Sequence, residues 1–362
     1  MADGPDDDAE GGIDRLVDRD ALRSFLAAEL GKVDAIEIQR HQVGHSNETL
    51  FVTWGDRELV LRRPPPGETA ESAHDVLREA RFMDAVADAG VAVPSVVATC
   101  DDRSVVGSDF FVMERLEGDV IRTEEPDRFA APEQRRRVGT ELVETLADVH
   151  AVDWREVGLA EFGPGERYLE RQVDLWRTQL EEWLLPSTTE HRDLPHVEDV
   201  AEWLAANIPE ESDETLVHGD FKLDNVMFEP GTPPEVVGVF DWEMATVGDP
   251  LADLGWMLLF WPDAGDPDHD IPAELLPPVT TREGYLTRRE LVARYEDATG
   301  REFVNERFYR GLAAYKITTA CEAMYLRHVS GAADDPMYPL LERGVPAMAA
   351  RARRIVEGEE PL

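Results

Sequence analysis

The first third of the chain alternates between helical and strand-like hydrophobic patterns. Apolar positions recur about every three to four residues in two stretches, and short β-prone runs fill three others. The helical stretches are residues 14–31 and 71–89, and the strand-like stretches are residues 35–62, 91–100 and 109–118. Gly55 and Asp56 interrupt the first strand-like stretch, which predicts a hairpin there. These patterns predict a small sheet accompanied by one prominent helix.

The rest of the chain has a mostly helical pattern with one β-prone interruption. A helix is predicted to begin at Pro132, because proline fits the first turn of a helix. The further helical stretches are residues 166–184, 196–206, 250–260, 287–299, 305–328 and 338–357. The interruption contains two β-prone runs, 225–228 and 236–241, with a turn at Pro230 and Gly231 between them. The pattern therefore predicts a loop held by a hairpin inside a helical lobe.

The chain is strongly acidic. Its 362 residues include 76 Asp and Glu against 36 Lys and Arg, a formal net charge of −40. Such an excess argues against nucleic-acid binding, because a phosphate backbone needs a basic face. The acids are spread along the whole chain and lysine is scarce, so adaptation to high salt explains them better than attraction of a cationic ligand. Salt at about 1 M shortens the Debye length to about 3 Å and screens the repulsion between the acids.

Composition also indicates the cellular compartment of the protein and excludes some classes of site. Residues 1–12 are acidic and lack an apolar signal region, so we expect a disordered leader on a cytoplasmic protein. No apolar run reaches the roughly 20 residues of a membrane helix, so we expect no membrane partner. Cys100 and Cys321 are the only cysteines, which excludes a disulfide framework and a zinc quartet.

Polar side chains concentrate in the segment LVHGDFKLDNVMFEP, residues 216–230, between two apolar segments. Asp220 can accept a proton, Asn225 offers a neutral oxygen to a hard cation, and Asp241 adds a carboxylate at the end of the next β-prone run. Mg²⁺ binds through one or two carboxylates and the phosphates of its ligand, so Asn225 and Asp241 form a partial set for a nucleotide-bound Mg²⁺. The EF-hand, HExxH and GxxxxGK[ST] patterns are absent, which excludes those classes of site.

The order His-x-Asp-x-Lys-x-x-Asn, followed by a hairpin and an Asp, resembles the catalytic centre of eukaryotic-type kinases. HGD at residues 218–220 and VFDWEMATVGDPLADLGWML at residues 239–258 are more specific, and resemble the aminoglycoside phosphotransferase and choline kinase superfamily. GHSNETLFV, LVLRRPPPG, LREARFM and FFVMERLEG resemble the branch of that superfamily that is fused to some acyl-CoA dehydrogenases. The resemblance covers roughly residues 35–330.

The resemblance implies a fold, a division of the chain and an activity. The fold is α+β and bilobal, a protein-kinase-like fold with a small N-terminal antiparallel sheet lobe and a larger, mostly helical C-terminal lobe. The implied ranges are 1–12 for the leader, 13–117 for the nucleotide-binding lobe, 118–362 for the helical lobe, 216–230 for its catalytic loop and 236–241 for its metal-binding strand. The implied activity is transfer of a phosphoryl group from ATP, with Mg²⁺, to the hydroxyl of a small molecule, by a monomer or a homodimer.

The resemblance also implies roles for individual residues. Asp220 matches the catalytic Asp, and Asn225 and Asp241 match the Mg²⁺ ligands. The nucleotide-binding positions are a phosphate turn (Gly44, Ser46 and Asn47), a basic residue with its helix partner (Arg62 and Glu79) and a hinge (Met113, Glu114 and Leu116). Arg62 stands where protein kinases have Lys, and it keeps the charge while offering two donors to a phosphate. Arg63 would point to the opposite face of the strand, so we assign the role to Arg62.

Several polar residues near these positions have two interpretations. His218 is either a base or, as we favour, a brace for the loop. Lys222 matches a position that contacts the transferred phosphate in protein kinases, although many members of this superfamily lack Lys there. Glu243 faces either the acceptor or a second metal ion, or neither. Asp249 and Asp253 are expected to be structural, the first as a helix cap and the second as a brace of the catalytic loop.

The acceptor and the class of activity have alternatives. The branch favours a hydroxylated acyl-CoA or a related acid, whereas the wider superfamily includes aminoglycoside and choline kinases. CoA would need a basic patch, for which the candidates, or else ordinary surface residues, are Arg167, Arg171, Arg177, Arg282, Arg288 and Arg289. The aromatics of the predicted helix 166–184 either pack in a core or line the acceptor side; they are Tyr168, Trp176 and Trp183. A regulatory pseudokinase is disfavoured by the intact Asp220, Asn225 and Asp241, and a phosphohydrolase by the predicted hinge and sheet.

Overall fold

The computed structural model describes most of the chain and divides it into two compact units. The described residues are 13, 16–33, 35–41, 47–66, 75–163, 167–184, 192, 194–331 and 335–362. The first unit comprises the residues up to Glu117 together with Val237–Ala245, and the second comprises Gly118–Val236 together with Thr246–Leu362. Each unit contains its own cluster of buried apolar side chains.

A five-stranded antiparallel sheet forms the centre of the first unit. The elements, in chain order, are α1 (Arg19–Leu30), β1 (Ile36–His41), β2 (Glu48–Trp54), β3 (Arg57–Arg63), α2 (Val76–Asp88), β4 (Val96–Cys100), α3 (Arg103–Val106) and β5 (Phe110–Glu114). The strand order is β1-β2-β3-β5-β4, and every neighbouring pair is antiparallel. The pairing of β2 with β3 confirms the hairpin predicted at Gly55.

Two elements of the first unit begin later than their hydrophobic patterns predict. The Asp18 carboxylate accepts hydrogen bonds from two backbone N–H groups of the first helical turn, so α1 begins at Arg19. Strand β4 begins at Val96, because Pro94 has no N–H group to donate to a neighbouring strand. A helix cap and a proline therefore determine where these two elements begin, and the apolar pattern alone places both starts too early.

Helix α2 carries an acidic residue on its buried face. Its N-terminal cap is Asp75, whose carboxylate accepts a hydrogen bond from the Arg78 N–H. The helix packs against β4 and β5, and its buried apolar side chains include Phe82 and Val86. Glu79 lies among these buried residues and is only 1% exposed. A carboxylate this deeply buried requires a compensating cation or hydrogen bond.

Helices dominate the second unit. The elements are β6 (Asp119–Val120), α4 (Pro132–Ala151), α5 (Tyr168–Leu184), α6 (Val197–Ala206), β7 (Thr215–Val217), β8 (Val226–Phe228), β9 (Val236–Val239, which runs into the first unit), β10 (Thr246–Gly248), α7 (Pro250–Leu259), α8 (Arg288–Thr299), α9 (Glu306–Val329) and α10 (Leu341–Glu357). The predicted helices of this part of the chain agree with these bounds to within three residues. In the part of the chain that the structure describes, no helix has the length and apolarity needed to cross a membrane.

Two short antiparallel pairings hold the loop that follows β7. Strand β7 pairs with β10, with Leu216 opposite Val247, and strand β8 pairs with β6. Helix α7 begins directly after β10, and the Asp249 carboxylate accepts hydrogen bonds from the Leu251 N–H and from the Tyr309 hydroxyl. The helix cap predicted at Asp249 is therefore confirmed. These elements fix both ends of the loop between β7 and β8.

Candidate active site

A single buried carboxylate, that of Asp253, binds the backbone of the loop between β7 and β8. The Asp253 carboxylate accepts hydrogen bonds from the backbone N–H groups of His218, at 2.6 Å, and Gly219, at 2.8 Å. The His150 ring lies 3.3 Å from the same carboxylate and 2.7 Å from the Tyr295 hydroxyl on its other side. Gly219 has a φ of 83°, a conformation that glycine adopts without strain. The expected bracing role of Asp253 is confirmed.

Three donors converge on the Asp220 carboxylate. The Lys222 ammonium lies 2.9 Å from both carboxylate oxygens. The Asn225 amide donates at 2.8 Å to Oδ2, and the Trp256 indole N–H donates at 2.8 Å to Oδ1. Burial alone would raise the pKa of Asp220, but the ammonium groups of Lys222 and Lys316 outweigh it and hold the pKa below its ordinary value. Asp220 is therefore ionised at neutral pH and fixed in one orientation.

His218 is buried behind this carboxylate. Its side chain is 0% exposed, and its ring packs edge-on against Phe221 with 5.8 Å between the ring centroids. Its Nδ1 accepts a hydrogen bond from the Asp220 N–H at 3.2 Å, which assigns the ring proton to Nε2. A fully buried ring in this position cannot reach a substrate. The geometry favours the bracing interpretation of His218 over the base.

Lys316 and Trp256 are also part of the site. Trp256 lies within the motif of residues 239–258, which assigned no role to it, and Lys316 lies in none of the motifs. Lys316, on α9, donates a hydrogen bond to the Gly219 carbonyl, and its ammonium lies 4.2 Å from the centroid of the Trp256 ring. One signal for Lys316 was available: among 36 Lys and Arg only three are lysines, at positions 32, 222 and 316. Two of these three lysines therefore lie beside Asp220.

A separate charged cluster lies in the first unit around Arg62. The Arg62 guanidinium contacts Glu79 Oε1 at 2.8 Å through Nη1 and Asp241 Oδ1 at 2.7 Å through Nη2. Glu243 Oε2 lies 4.0 Å from the same Nη2. Arg63 points to the other face of β3, where it is 5% exposed and donates to backbone carbonyls that include that of Val106. This geometry favours the assignment to Arg62, in the strand register that the alternation predicts.

The charges of this cluster perturb one another. Burial would lower the pKa of Arg62, but the carboxylates of Glu79 and Asp241 outweigh it and raise that pKa above its ordinary value. Burial raises the pKa of Glu79 to about 8, and Arg62 opposes that rise. Arg62 therefore stays protonated at all working pH values, and it favours the ionised form of Glu79 against the effect of burial.

The segment that carries Asp241 has a backbone conformation that the sequence pattern did not predict. The strand predicted over residues 236–241 ends at Val239, and Asp241 has a φ of 67°. The Asn47 amide donates to Glu243 Oε2 at 3.1 Å, and the Arg78 guanidinium donates to the Glu243 carbonyl at 3.1 Å. These contacts hold the residues after Asp241 against α2 and against the residue that precedes β2.

The remaining predicted nucleotide-binding residues belong to the phosphate turn and to the hinge. Gly44 and Ser46 lie outside the described residues. Met113 is buried on β5 opposite Val60, and the neighbouring Glu114 is exposed. Leu116 packs on Gly238, where a Cβ atom would come within 2.5 Å of its Cδ1.

The Arg62 cluster has a donor that suits a phosphate and acceptor oxygens that suit a hard cation. Among the described side chains, the buried atoms without a hydrogen-bond partner include Asn47 Oδ1 and Arg62 Nε, an acceptor and a donor in the same cluster as Asp241. In the second unit, the Asn225 amide nitrogen donates hydrogen bonds to the carbonyl and the carboxylate of Asp220. The amide oxygen of Asn225 is therefore the atom suited to a cation. Asp241 and Asn225 have the oxygen chemistry of Mg²⁺ ligands, and Mg²⁺ takes few protein ligands when it is held by a nucleotide. In the described residues, no group of three or more His, Cys, Asp or Glu could hold a metal ion by itself.

Several of the six candidate arginines of the basic patch contact local carboxylates. Arg288 is 2% exposed and its guanidinium contacts Asp266, while Arg282 contacts Glu125 and Arg167 contacts Glu170. Local carboxylates therefore neutralise these arginines, which favours the structural interpretation. Among the aromatics of α5, Tyr168 and Trp176 are buried, and the Trp183 side chain lies outside the described residues.

Comparisons with known proteins relate the chain to phosphotransferases. A family model described as the phosphotransferase enzyme family matches residues 37–306. Acyl-CoA dehydrogenase family member 10 of Mus musculus is 33% identical over 327 residues, which cover 88% of this chain and 29% of that protein. Acyl-CoA dehydrogenase family member 11 of Homo sapiens is 31% identical over 324 residues, which cover 87% of this chain and 40% of that protein. The chain spans less than half the length of these relatives.

Solved structures share the fold. A putative aminoglycoside phosphotransferase from Ralstonia eutropha is 27% identical, with a TM-score of 0.77 over 94% of this chain and 99% of that chain. A choline kinase from Cryptosporidium parvum is 9% identical, with a TM-score of 0.63 over 94% of this chain and 97% of that one. A thermostable mutant of an aminoglycoside phosphotransferase, in a ternary complex with AMP-PNP and hygromycin B, is 16% identical, with a TM-score of 0.58 over 94% and 99%. These similarities confirm the protein-kinase-like fold and the superfamily resemblance.

Proposed function

The chain belongs to the phosphotransferase enzyme family, and on that premise we propose that it is an ATP-dependent kinase that phosphorylates a hydroxyl group of a small molecule. The observation that carries this proposal is the Asp220 carboxylate, which is ionised and oriented by Lys222, Asn225 and Trp256. Phosphoryl transfer needs little covalent help from a protein; it needs a positioned nucleophile and neutralised charge. Asp220 supplies the first of these requirements by accepting a hydrogen bond from the acceptor hydroxyl.

The pKa of Asp220 defines how it acts on that hydroxyl. A carboxylate whose pKa lies below the ordinary value is a weak base. It therefore orients the hydroxyl first. It takes the hydroxyl proton only as the new oxygen–phosphorus bond forms, while the bond between the γ-phosphorus and the bridging oxygen breaks and ADP leaves. Lys222 stays at the same carboxylate, where its ammonium group can also meet the transferred phosphoryl group.

The nucleotide is proposed to engage the Arg62 cluster. Arg62 offers its Nε donor, and its charge is fixed at all working pH values by the neighbouring carboxylates. Bound Mg²⁺ would supply neutralisation of the phosphate charge, and Asp241 and Asn225 are the residues that would hold it. A similar fold with AMP-PNP bound supports the choice of an adenine nucleotide.

The acceptor is proposed to be a hydroxylated acyl-CoA or a related acid. The relatives named after acyl-CoA dehydrogenases support this class. So does the surrounding chemistry, because two ammonium groups beside Asp220 disfavour a polycationic acceptor such as an aminoglycoside. An apolar side chain, that of Phe260, also lies beside the site. Phe260 contacts Lys222 directly, with 5.2 Å from the ammonium to the ring centroid.

A panel of acceptors tests the proposal. Purified protein would be incubated with ATP and Mg²⁺ and with hydroxyacyl-CoAs, choline, sugars or aminoglycosides, and products would be identified by mass spectrometry. We expect one hydroxyl compound to gain a phosphoryl group, with a hydroxyacyl-CoA the first candidate. Nucleotide binding without transfer to any acceptor would instead indicate a regulatory pseudokinase. A cytoplasmic location and a monomeric or dimeric state remain predictions.

A further inference from the structure

Lys316, in the second unit, contacts two groups that orient Asp220: the Gly219 backbone and the Trp256 indole. It donates a hydrogen bond to the carbonyl of Gly219, the residue directly before Asp220. Its ammonium lies over the Trp256 ring, at 4.2 Å from the centroid, and the N–H of that same ring donates to Asp220 Oδ1 at 2.8 Å. Trp176 lies on another side of the ammonium, at 5.5 Å to its centroid. One side chain therefore contacts both the backbone and the indole that orient the carboxylate.

The burial of Lys316 is costly. The side chain is only 9% exposed, and an ammonium removed from water is tolerated only with compensating partners. The chain uses arginine almost everywhere else, with three lysines among 36 Lys and Arg. A general preference of the chain for lysine over arginine does not explain this buried lysine. It is explained by a requirement for a compact ammonium at this position, because the planar guanidinium of arginine is larger and differently shaped.

We propose that Lys316 is a positioning residue of the catalytic loop, which fixes Gly219 and the Trp256 indole and through them the orientation of Asp220. The proposal rests on the phosphotransferase function, since Asp220 is the catalytic residue of that reaction. Lys316 itself does not touch the Asp220 carboxylate through a hydrogen bond. It acts through the two groups that it contacts.

The charged groups around Lys316 agree with this role. Burial lowers the pKa of Lys316 to about 8, and the carboxylates of Asp220, from the loop, and Asp253, from α7, oppose that decrease. The Lys222 ammonium, also from the loop, adds to the decrease. Lys316 is therefore mainly protonated at neutral pH and electrostatically coupled to Asp220.

Replacement by methionine separates positioning from plain structural support. Lys316→Met keeps the unbranched shape and removes the charge and the donor. If Lys316 only supported the fold, this variant would melt at a lower temperature and lose rate in proportion. A positioning residue predicts a loss of rate out of proportion to the loss of stability. We expect kcat to fall about 10- to 100-fold, the loss typical of a small misplacement of a reacting group, at a temperature where circular dichroism shows that Lys316→Met is fully folded.

The rate experiment measures ADP release from ATP with water as the acceptor, and with any compound that the acceptor panel identifies. KM for ATP should stay unchanged in Lys316→Met, and Lys316→Arg should recover part of kcat because it retains a cation and donors. Lys32→Met is the matched control, because Lys32 is exposed and should be replaceable without effect. Trp256→Phe removes the N–H on Asp220, so its combination with Lys316→Met should lose less than the product of the two single losses. Independent losses, or a kcat within twofold of the wild type in Lys316→Met, would overturn the proposal.

A second readout does not depend on activity. Lysine labelled with ¹³C at Cε gives NMR signals from only three residues, and Lys316→Met assigns one of them. Asp220→Asn removes a carboxylate that stabilises the ammonium, so the pKa of Lys316 should fall further in that variant. An unchanged Lys316 titration in Asp220→Asn would contradict the coupling even if the protein transferred phosphate. Conversely, absence of any Asp220-dependent ATP use would contradict the proposed function, while this titration would still decide whether Lys316 and Asp220 are coupled.

Discussion

The contacts of Arg62 make a quantitative prediction about the stability of the first unit. Arg62→Met removes the cation that lies 2.8 Å from Glu79 and 2.7 Å from Asp241, and Glu79 is only 1% exposed. At pH 9, where Glu79 is ionised, breaking this buried pair by removing Arg62 should cost about 3–5 kcal/mol, because the remaining charge is left without compensation, and at pH 6 the cost should be smaller. Glu79→Gln keeps the shape and removes the charge, and Arg62 retains Asp241, so its cost should be smaller, about 1–3 kcal/mol.

The double variant should cost little more than Arg62→Met alone. Once Glu79 is neutral, the loss of Arg62 no longer leaves a buried charge there, so the coupling energy should be roughly 1–3 kcal/mol. The coupling should be larger at pH 9 than at pH 6, since burial raises the pKa of Glu79 to about 8 and the carboxyl is ionised only above that value. For the same reason, Glu79 contributes stability at low pH that is lost as the pH rises through about 8, and Glu79→Gln should lack this decline.

Hydrogen exchange measured against urea concentration reports on this unit alone. The free energy of opening would be taken from amides of β3, which carries Arg62. The matched control is the pair of Arg103 and Asp109 in the same unit, 3.0 Å apart with Arg103 68% exposed, for which a coupling of about 0.2–1 kcal/mol is expected. Costs at Arg62 and Glu79 that add to within about 0.5 kcal/mol at pH 9 would refute the reasoning.

Three further predictions follow from single features of the chain. Gly248→Ala should destabilise the protein by about 1–3 kcal/mol and lower its melting temperature, because the new Cβ would lie 2.6 Å from the Tyr168 ring. Gly265→Ala is the control, because a Cβ there meets open space, and equal melting temperatures of the two variants would contradict this prediction. Asp249→Ala should destabilise the second unit by at least about 1–3 kcal/mol in urea unfolding, because it leaves the buried Tyr309 hydroxyl and the Ser212 N–H without their acceptor, and unchanged stability would show that other groups satisfy them. The melting temperature of the wild type should rise from dilute buffer to about 1 M KCl, because salt screens the repulsion at a net charge of −40, and a flat dependence would rule out salt adaptation.

The sequence predicted those parts of the molecule that depend on local chemistry. The hairpin at Gly55 and the helix beginning at Pro132 follow from turn and cap residues and are present. The alternation of a strand assigned opposite faces to Arg62 and Arg63, and the structure agrees.

The features that the sequence did not predict depend on contacts between distant residues. Lys316 reaches Gly219 across 97 positions, and Trp256 reaches Asp220 across 36, and neither distance leaves a local pattern. Arg288 was a candidate for a basic surface because a charged residue is ordinarily exposed. Its burial depends on Asp263 and Asp266, which only the fold brings to it.

Transfer of a phosphoryl group under control of Asp220 is the central claim, and one comparison of variants tests it most directly. ATP labelled with ¹⁸O at the γ-phosphate would be supplied with the acceptor panel, and labelled product would be measured by mass spectrometry for the wild type, Asp220→Asn and Asp224→Asn. Asp224 is the matched carboxylate in the same loop. We expect a labelled, phosphorylated hydroxyl compound with the wild type and with Asp224→Asn. With Asp220→Asn we expect the rate of transfer to fall by orders of magnitude while nucleotide binding is retained. Wild-type turnover by Asp220→Asn would contradict the account.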